Sequence, residues 1–150
     1  MTTVKERTGV PVDVVCALII EGGKLLIVQY GPGSKHPGQW EFPGGKVHAG
    51  ESPEEALSRE ITEELGIQVN ILYPLEPVEY EYSDRLIRLI PFVCRYERKT
   101  IVLQEHQALL WLELKDLNNF GLLPADRKLL DSRVNSGILK QFLSKTEGGE

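Results

Sequence analysis

Six glutamates crowd the fourteen residues from Glu51 to Glu64: Glu51, Glu54, Glu55, Glu60, Glu63 and Glu64. Like charges spaced i,i+4 destabilise a helix, so such a density asks for a compensating task. Clustered carboxylates beside free backbone carbonyls suit hard divalent cations, and Mg2+ is the natural occupant where phosphates are also bound. A glutamate left without a cation can take a proton from water. Just upstream lies Pro43-Gly44-Gly45, a turn that brings bare backbone close to the acids. The plain alternative is a solvated acidic face, the ordinary meaning of a charge run.

The local signals place these acids on a helix. Ser52 is a good N-cap, Pro53 fits the first helical position, and Glu55 completes a capping box with Ser52. Gly66 ends the run as a C-terminal glycine does. The spacing therefore predicts a helix from about Pro53 to Leu65. At about 100° per residue, Glu60, Glu63 and Glu64 share one arc, and Leu57, Ile61 and Leu65 occupy the neighbouring arc that can pack on a sheet. The acids then stand at the rim of an interface. Arg59 precedes Glu63 by four residues and can hold that carboxylate in place.

The elements around this helix read mainly as strands. Residues 10–20 are β-branched and apolar, and 24–30 return after an Glu-Gly-Gly turn as the second arm of a hairpin. Residues 31–39 are loop by composition. Further strands are predicted at 67–72, 77–82, 86–96 and 108–113, with Pro91 placing the 86–96 strand at an edge or a bulge. Helices are predicted around 124–131 and 134–143. The result is an α+β fold, a mixed sheet covered by helices. No repeat or linker is visible, so residues 1–150 read as one domain, with about 1–8 and 144–150 as flexible ends.

Several function classes are disfavoured. The chain has 22 acidic and 17 basic residues, a formal charge of -5, and no basic stripe, which argues against a nucleic-acid polymer as partner. A nucleotide remains compatible if divalent ions accompany it. No long apolar run would span a membrane, and Met1 to Val10 lack a signal core, so a cytoplasmic protein is expected. Cys16 and Cys94 read as buried free thiols. His36, His48 and His106 read as loop residues, and Trp40 and Trp111 as core or rim packing.

Gly45, Glu51, Arg59-Glu60-Ile61, Glu63-Glu64 and Gly66-Ile67 together resemble the Nudix box with no position missing. The preceding Gln39 to Lys46 is similar to the MutT-like members of that family. The resemblance implies an α/β/α sandwich with the box helix against a mixed sheet. It also implies Mg2+-dependent hydrolysis of a nucleoside diphosphate linked to another group, with Mn2+ able to substitute. Carried onto this sequence, it makes Glu60, Glu63 and Glu64 metal ligands with the Gly44 carbonyl beside them. Arg59 orients a glutamate, Gly45 and Gly66 are structural box positions, and Glu51 is a structural or outer metal contact. The general base is Glu60 ahead of Glu105, which matches a later acidic position of the family and is a further ligand candidate.

Base recognition must come from outside the box. Tyr82 and Arg85 can offer an aromatic face and a guanidinium. Phe42 can wall the pocket and Lys46 can contact substrate. Asp126 stands where MutT has asparagine, and the surrounding residues are similar to the bacterial CTP pyrophosphohydrolase branch. An acid there can accept from the amino group of cytosine or the N7-H of 8-oxoguanine, and it can equally serve as a first-turn acid of its helix. Relatives commonly carry arginine where this chain has Tyr30, which would leave phosphate holding to Lys35, His36 or Lys46. The leading expectation is a nucleoside triphosphate pyrophosphohydrolase acting on free nucleotides, as a monomer or homodimer. A nucleotide-sugar or dinucleotide hydrolase and a non-catalytic nucleotide-binding regulator are the alternatives.

Overall fold

In a computed structural model, which describes residues 9–117 and 119–148, the long strand β1 (Val12–Glu21) turns at Gly22-Gly23 into β2 (Lys24–Tyr30). Two short strands follow, β3 (Trp40–Glu41) and β4 (Gly44–Lys46), before helix α1 (Pro53–Leu65). Then come β5 (Val69–Pro74), β6 (Val78–Tyr82), β7 (Arg85–Tyr96) and β8 (His106–Leu112). The chain ends in helices α2 (Leu114–Leu117), α3 (Pro124–Asp131) and α4 (Arg133–Gly148). Helix α4 continues through 144–148, where the sequence suggests a tail. The remaining expected flexible ends, 1–8 and 149–150, lie outside the described residues.

The sheet is mixed. β1 runs parallel to β7 and antiparallel to β2 and β4, and β2 is flanked further along by β3 and β8. Alternate residues of β1 enter different cores. Cys16, Leu18 and Ile20 meet Ala125, Leu129, Leu139 and Leu143 of α3 and α4. Val15, Ala17 and Ile19 meet Ala56, Leu57, Ile61 and Leu65 of α1. Helices thus cover both faces, which is why β1 reads as a continuous apolar run rather than as an alternating one. Both cysteines are free and buried.

Pro91 corrects one expectation. It lies inside a central strand, not at an edge: β1 pairs one side of β7, and β6 then β5 pair the other. The proline falls at the handover, where Val78 still faces Leu89 and Pro74 already faces Phe92. The Leu75 amide donates to the Pro91 carbonyl at 3.0 Å there. In a strand, a residue's nitrogen and carbonyl point to the same side, so the missing N–H faces this seam and interrupts no ladder bond.

The glycine turn also proves more ordered than its composition suggests. Gly44 and Gly45 pair with Cys16 and Val15 of β1. A Cβ on Gly44 would collide with the Val15 carbonyl, so only glycine lets these backbones approach. α1 has the predicted bounds: Ser52 accepts from the Glu55 amide, Glu55 returns the bond to the Ser52 amide at 2.9 Å, and Gly66 adopts φ 69° at the C-terminus.

Candidate active site

Arg59 is the hub of the acidic helix. Its Nε donates to Glu51 Oε2 at 2.6 Å and its Nη2 to Glu51 Oε1 at 2.9 Å, a two-pronged charged pair. Nη2 also reaches the Lys46 carbonyl at 3.0 Å. Nη1 donates to Glu60 Oε2 at 3.1 Å and to Glu63 Oε1 at 3.3 Å. The expected Glu63 contact is therefore present but is the longest of the set; Glu51 is the main partner. Hydrogen bonds from Arg59 and then from the His48 amide hold the Glu51 carboxyl down at about 2. Glu51 thus anchors the guanidinium, and the guanidinium bridges strand β4 to the acids of α1.

The box acids have unequal surroundings. Glu64 is 5% exposed, although it is a carboxylate. Burial, then the charges of Glu41, Glu60 and Glu105, push its carboxyl up to about 10. The Gly44 amide, rather than its carbonyl, is the group that touches Glu64, at 3.3 Å. Glu60 packs directly on Gly45, where any Cβ would strike its carboxylate. Glu63 is 55% exposed and faces solvent beyond Arg59. Glu105 is exposed in the segment before β8. That segment is tied to the end of α1, since Val102 N–H bonds the Leu65 carbonyl at 3.0 Å and Gln104 N–H the Glu64 carbonyl at 3.1 Å. This places Glu105 close enough for its charge to act on Glu64.

These residues fit a hard divalent cation by chemistry. Among the described residues no three His, Cys, Asp or Glu side chains already converge as a metal cage. Instead, Glu64 is buried beside the charges of Glu41 and Glu60, and burial with that repulsion sets it to keep a proton far above the usual carboxylate range. A cation can replace that proton and relieve the same repulsion with oxygen donors alone.

Next to the acids opens a cavity of about 390 Å³. Phe42, Gly44, Gly45, Lys46, Tyr82, Arg85 and Asp126 all line it, so the structure brings the box turn and every expected base-side residue to one hollow. Asp126 lies in the first turn of α3 but does not cap it: the N-cap is Leu123, with no side-chain bond. Its Oδ2 accepts instead from the Phe42 amide at 2.8 Å, across 84 residues of sequence. Burial and the charge of Glu41 hold its carboxyl well above the ordinary range. The Tyr82 hydroxyl accepts from the Ala125 amide at 3.0 Å and so steadies the start of α3 beside Asp126. Gly66, by contrast, lies at the far end of α1, outside this lining.

Three participants escaped the sequence reading. Glu41 lines the cavity from β3, accepts from the Tyr30 hydroxyl at 2.9 Å, and bonds His106 Nε2 at 2.8 Å. His106 is no loop residue; it opens β8 and is buried. Tyr30, where relatives commonly carry arginine, therefore bonds a carboxylate of the site. The available signal was a lone acid between Trp40 and Phe42 in a strand too short to show alternation. Lys35 and His36 also line the cavity, and Lys35 Nζ pairs with Asp84 at 3.1 Å across its mouth. Trp40 and Trp111 pack against the two cores as expected.

Comparison with known proteins agrees with this geometry. The NUDIX domain pattern matches residues 10–132. A CTP pyrophosphohydrolase of Escherichia coli K12 is 38% identical over 121 residues, covering 81% of this chain and 90% of that protein. An 8-oxo-dGTP diphosphatase of Haemophilus influenzae is 33% identical over 115 residues, covering 77% and 85%. Among solved structures, a MutT NUDIX hydrolase from Burkholderia pseudomallei superimposes with a TM-score of 0.70 at 28% identity, covering 79% of this chain and 95% of that one. The E. coli ORF135 protein gives 0.70 at 38% identity, covering 80% and 86%. A complete acidic box on α1, the sandwich that carries it and these likenesses lead to one conclusion: this chain belongs to the Nudix hydrolase family.

Proposed function

We propose that the protein is a Mg2+-dependent nucleoside triphosphate pyrophosphohydrolase that releases a nucleoside monophosphate and pyrophosphate. Its substrate is (d)CTP, a modified form of it, or 8-oxo-dGTP, and its role is to clear the nucleotide pool of the cytoplasm. The observation that carries this reading is Glu64, buried among Glu41, Glu60 and Glu105 beside the glycine turn and open to relief by a cation. The names of the two relatives above support the choice of bases.

Glu60, Glu63 and Glu64 would hold the metal, with Glu105 as a further ligand from the opposite loop. Bound Mg2+, or Mn2+ in its place, would neutralise phosphate oxygens and lower the pKa of an attacking water. Arg59 keeps Glu60 and Glu63 aligned from its anchor on Glu51. Glu60, or Glu105 from the exposed loop, receives the proton of the attacking water. Gly44 and Gly45 let β4 lie close against β1 and under Glu60, which sets the acids at the edge of the cavity. Lys46, Lys35 and Arg85 supply cationic charge at the wall of the cavity. Phe42, Tyr82 and Asp126 hold the base.

The test is a panel of normal and oxidised nucleoside triphosphates with Mg2+, scoring pyrophosphate against orthophosphate. Pyrophosphate from a cytidine or 8-oxoguanine nucleotide is the expected result. Sugar phosphate from a nucleotide sugar, or tight binding without products, would overturn it.

A further inference from the structure

Among the described residues, a buried polar contact of Tyr30, Glu41 and His106 stands at the cavity wall outside the proposed metal ligands. The three come from adjacent strands, β2, β3 and β8, with Val28 opposite Glu41 and Tyr30 opposite His106. A register shift between Gln29 and Tyr30 breaks the regular alternation just where Tyr30 turns to Glu41. Such irregularities re-aim side chains. Tyr30 donates to Glu41 Oε1 and His106 to Oε2, so both oxygens are pinned and the carboxylate keeps one orientation.

The network carries a cost that filling a core would not require. Since a carboxylate only accepts, His106 Nε2 carries the proton of that bond. Its other nitrogen, Nδ1, is then buried without a hydrogen-bond partner among the described residues, on a side chain only 2% exposed. Orphaned buried polar atoms are rare and call for an explanation. Here the imidazole forgoes one bond to make the other. Each pinned oxygen of Glu41 retains a further acceptor position, and Glu41 lines the cavity together with Asp126. Its charge acts on Asp126 on one side and on Glu64 on the other.

We infer that Tyr30 and His106 are positioning residues that fix Glu41 as a specificity-determining acceptor, selecting nucleobases that present an exocyclic amino group. This deepens the pyrophosphohydrolase reading and rests on it. A site built around a fixed buried acceptor rejects the analogue that lacks the donor, because the acceptor is then left unpaired. A base with a carbonyl at that place sets oxygen against oxygen.

The experiment compares the wild type with Tyr30→Phe, His106→Leu and His106→Gln. Binding of CMP against UMP and of GMP against IMP is measured by titration calorimetry, alongside kcat/KM for the matching triphosphates. Each pair differs at the amino group. The wild type should favour the amino-bearing member of its preferred pair by at least about tenfold. Tyr30→Phe and His106→Leu should each cut that ratio by about tenfold, the scale of one charge-assisted hydrogen bond. His106→Gln, which keeps an amide donor, should retain the preference. A merely structural role would lower the melting temperature and leave the ratio alone. Tyr30→Phe removes a single oxygen atom, so the test survives if His106→Leu fails to fold. A wild-type ratio in Tyr30→Phe, or no preference in the wild type, overturns the inference even if pyrophosphate is released. Monophosphate selectivity that depends on Tyr30, without any pyrophosphate release, would instead overturn the hydrolase reading and leave this one standing.

Discussion

At Asp126, Oδ2 takes the Phe42 amide rather than the end of its own helix, so this acid ties the base side of the cavity to the glycine turn. Its carboxyl lies above the ordinary range through burial and then the charge of Glu41. An acid with a raised value binds its proton more tightly when folded. Its contribution to stability is complete below the ordinary value of 3.8 and is lost as pH rises through the folded value. Asp126→Asn, uncharged throughout, should gain melting temperature relative to the wild type as pH rises above the ordinary carboxyl value of 3.8. A difference that stays constant as pH rises would contradict the assigned burial. The same variant should change base preference more than turnover in the nucleotide panel. Glu63 offers the contrasting case, an exposed acid with one long contact to Arg59. Glu63→Gln should leave the fold intact and lower kcat by about two orders of magnitude or more, which steady-state kinetics would read. Near-normal turnover would remove it from the ligands.

At the scale of elements, the junction between β4 and α1 concentrates the chemistry. Gly45 lies under Glu60 with no room for a methyl group. Gly45→Ala should therefore displace Glu60 and abolish most turnover while circular dichroism remains near that of the wild type. Ser52→Ala should cost about 1 kcal/mol of stability through loss of the cap bond. Denaturant titration would measure it, and an unchanged midpoint would deny the cap its role. Helix α1 was legible because cap, proline, capping box and terminal glycine all act locally. β3 and β4 were not: two and three residues are too short for periodicity, and the glycines of β4 read as turn. Pro91 misled for a related reason, since its tolerance depends on two other strands exchanging places beside it. Among the site residues, the box acids could be read from spacing, whereas Glu41 and His106 meet only when β8 and β3 flank β2.

For the whole molecule, the acids of α1 and the strand faces form one balance. Both faces of the sheet are covered by apolar helix surface, and that packing tolerates a buried repulsive cluster. Mg2+ at a hundredfold excess over its dissociation constant should stabilise the fold by about 2.7 kcal/mol, read as a rise in melting temperature. The same addition to a Glu64→Gln variant should give a smaller rise. Chelation should stop turnover; full activity without divalent ions would remove the metal from the proposal. Among the described residues no helix is long and apolar enough to cross a membrane.

Trp40 is joined through both of its backbone groups to the segment that leads into α3: its amide bonds the Gly121 carbonyl and its carbonyl accepts the Leu123 amide, each at 2.9 Å. Its indole meets Phe120 edge-on, while Trp111 stacks on Tyr96 over the opposite core. The chain consequently contains two optical reporters with separate fields of view. Emission from Trp40 should shift when a nucleobase settles beside its neighbours Glu41 and Phe42, and emission from Trp111 should stay silent. A Trp111→Phe protein would thus let loading of the cavity be followed by fluorescence, without waiting for any bond to break.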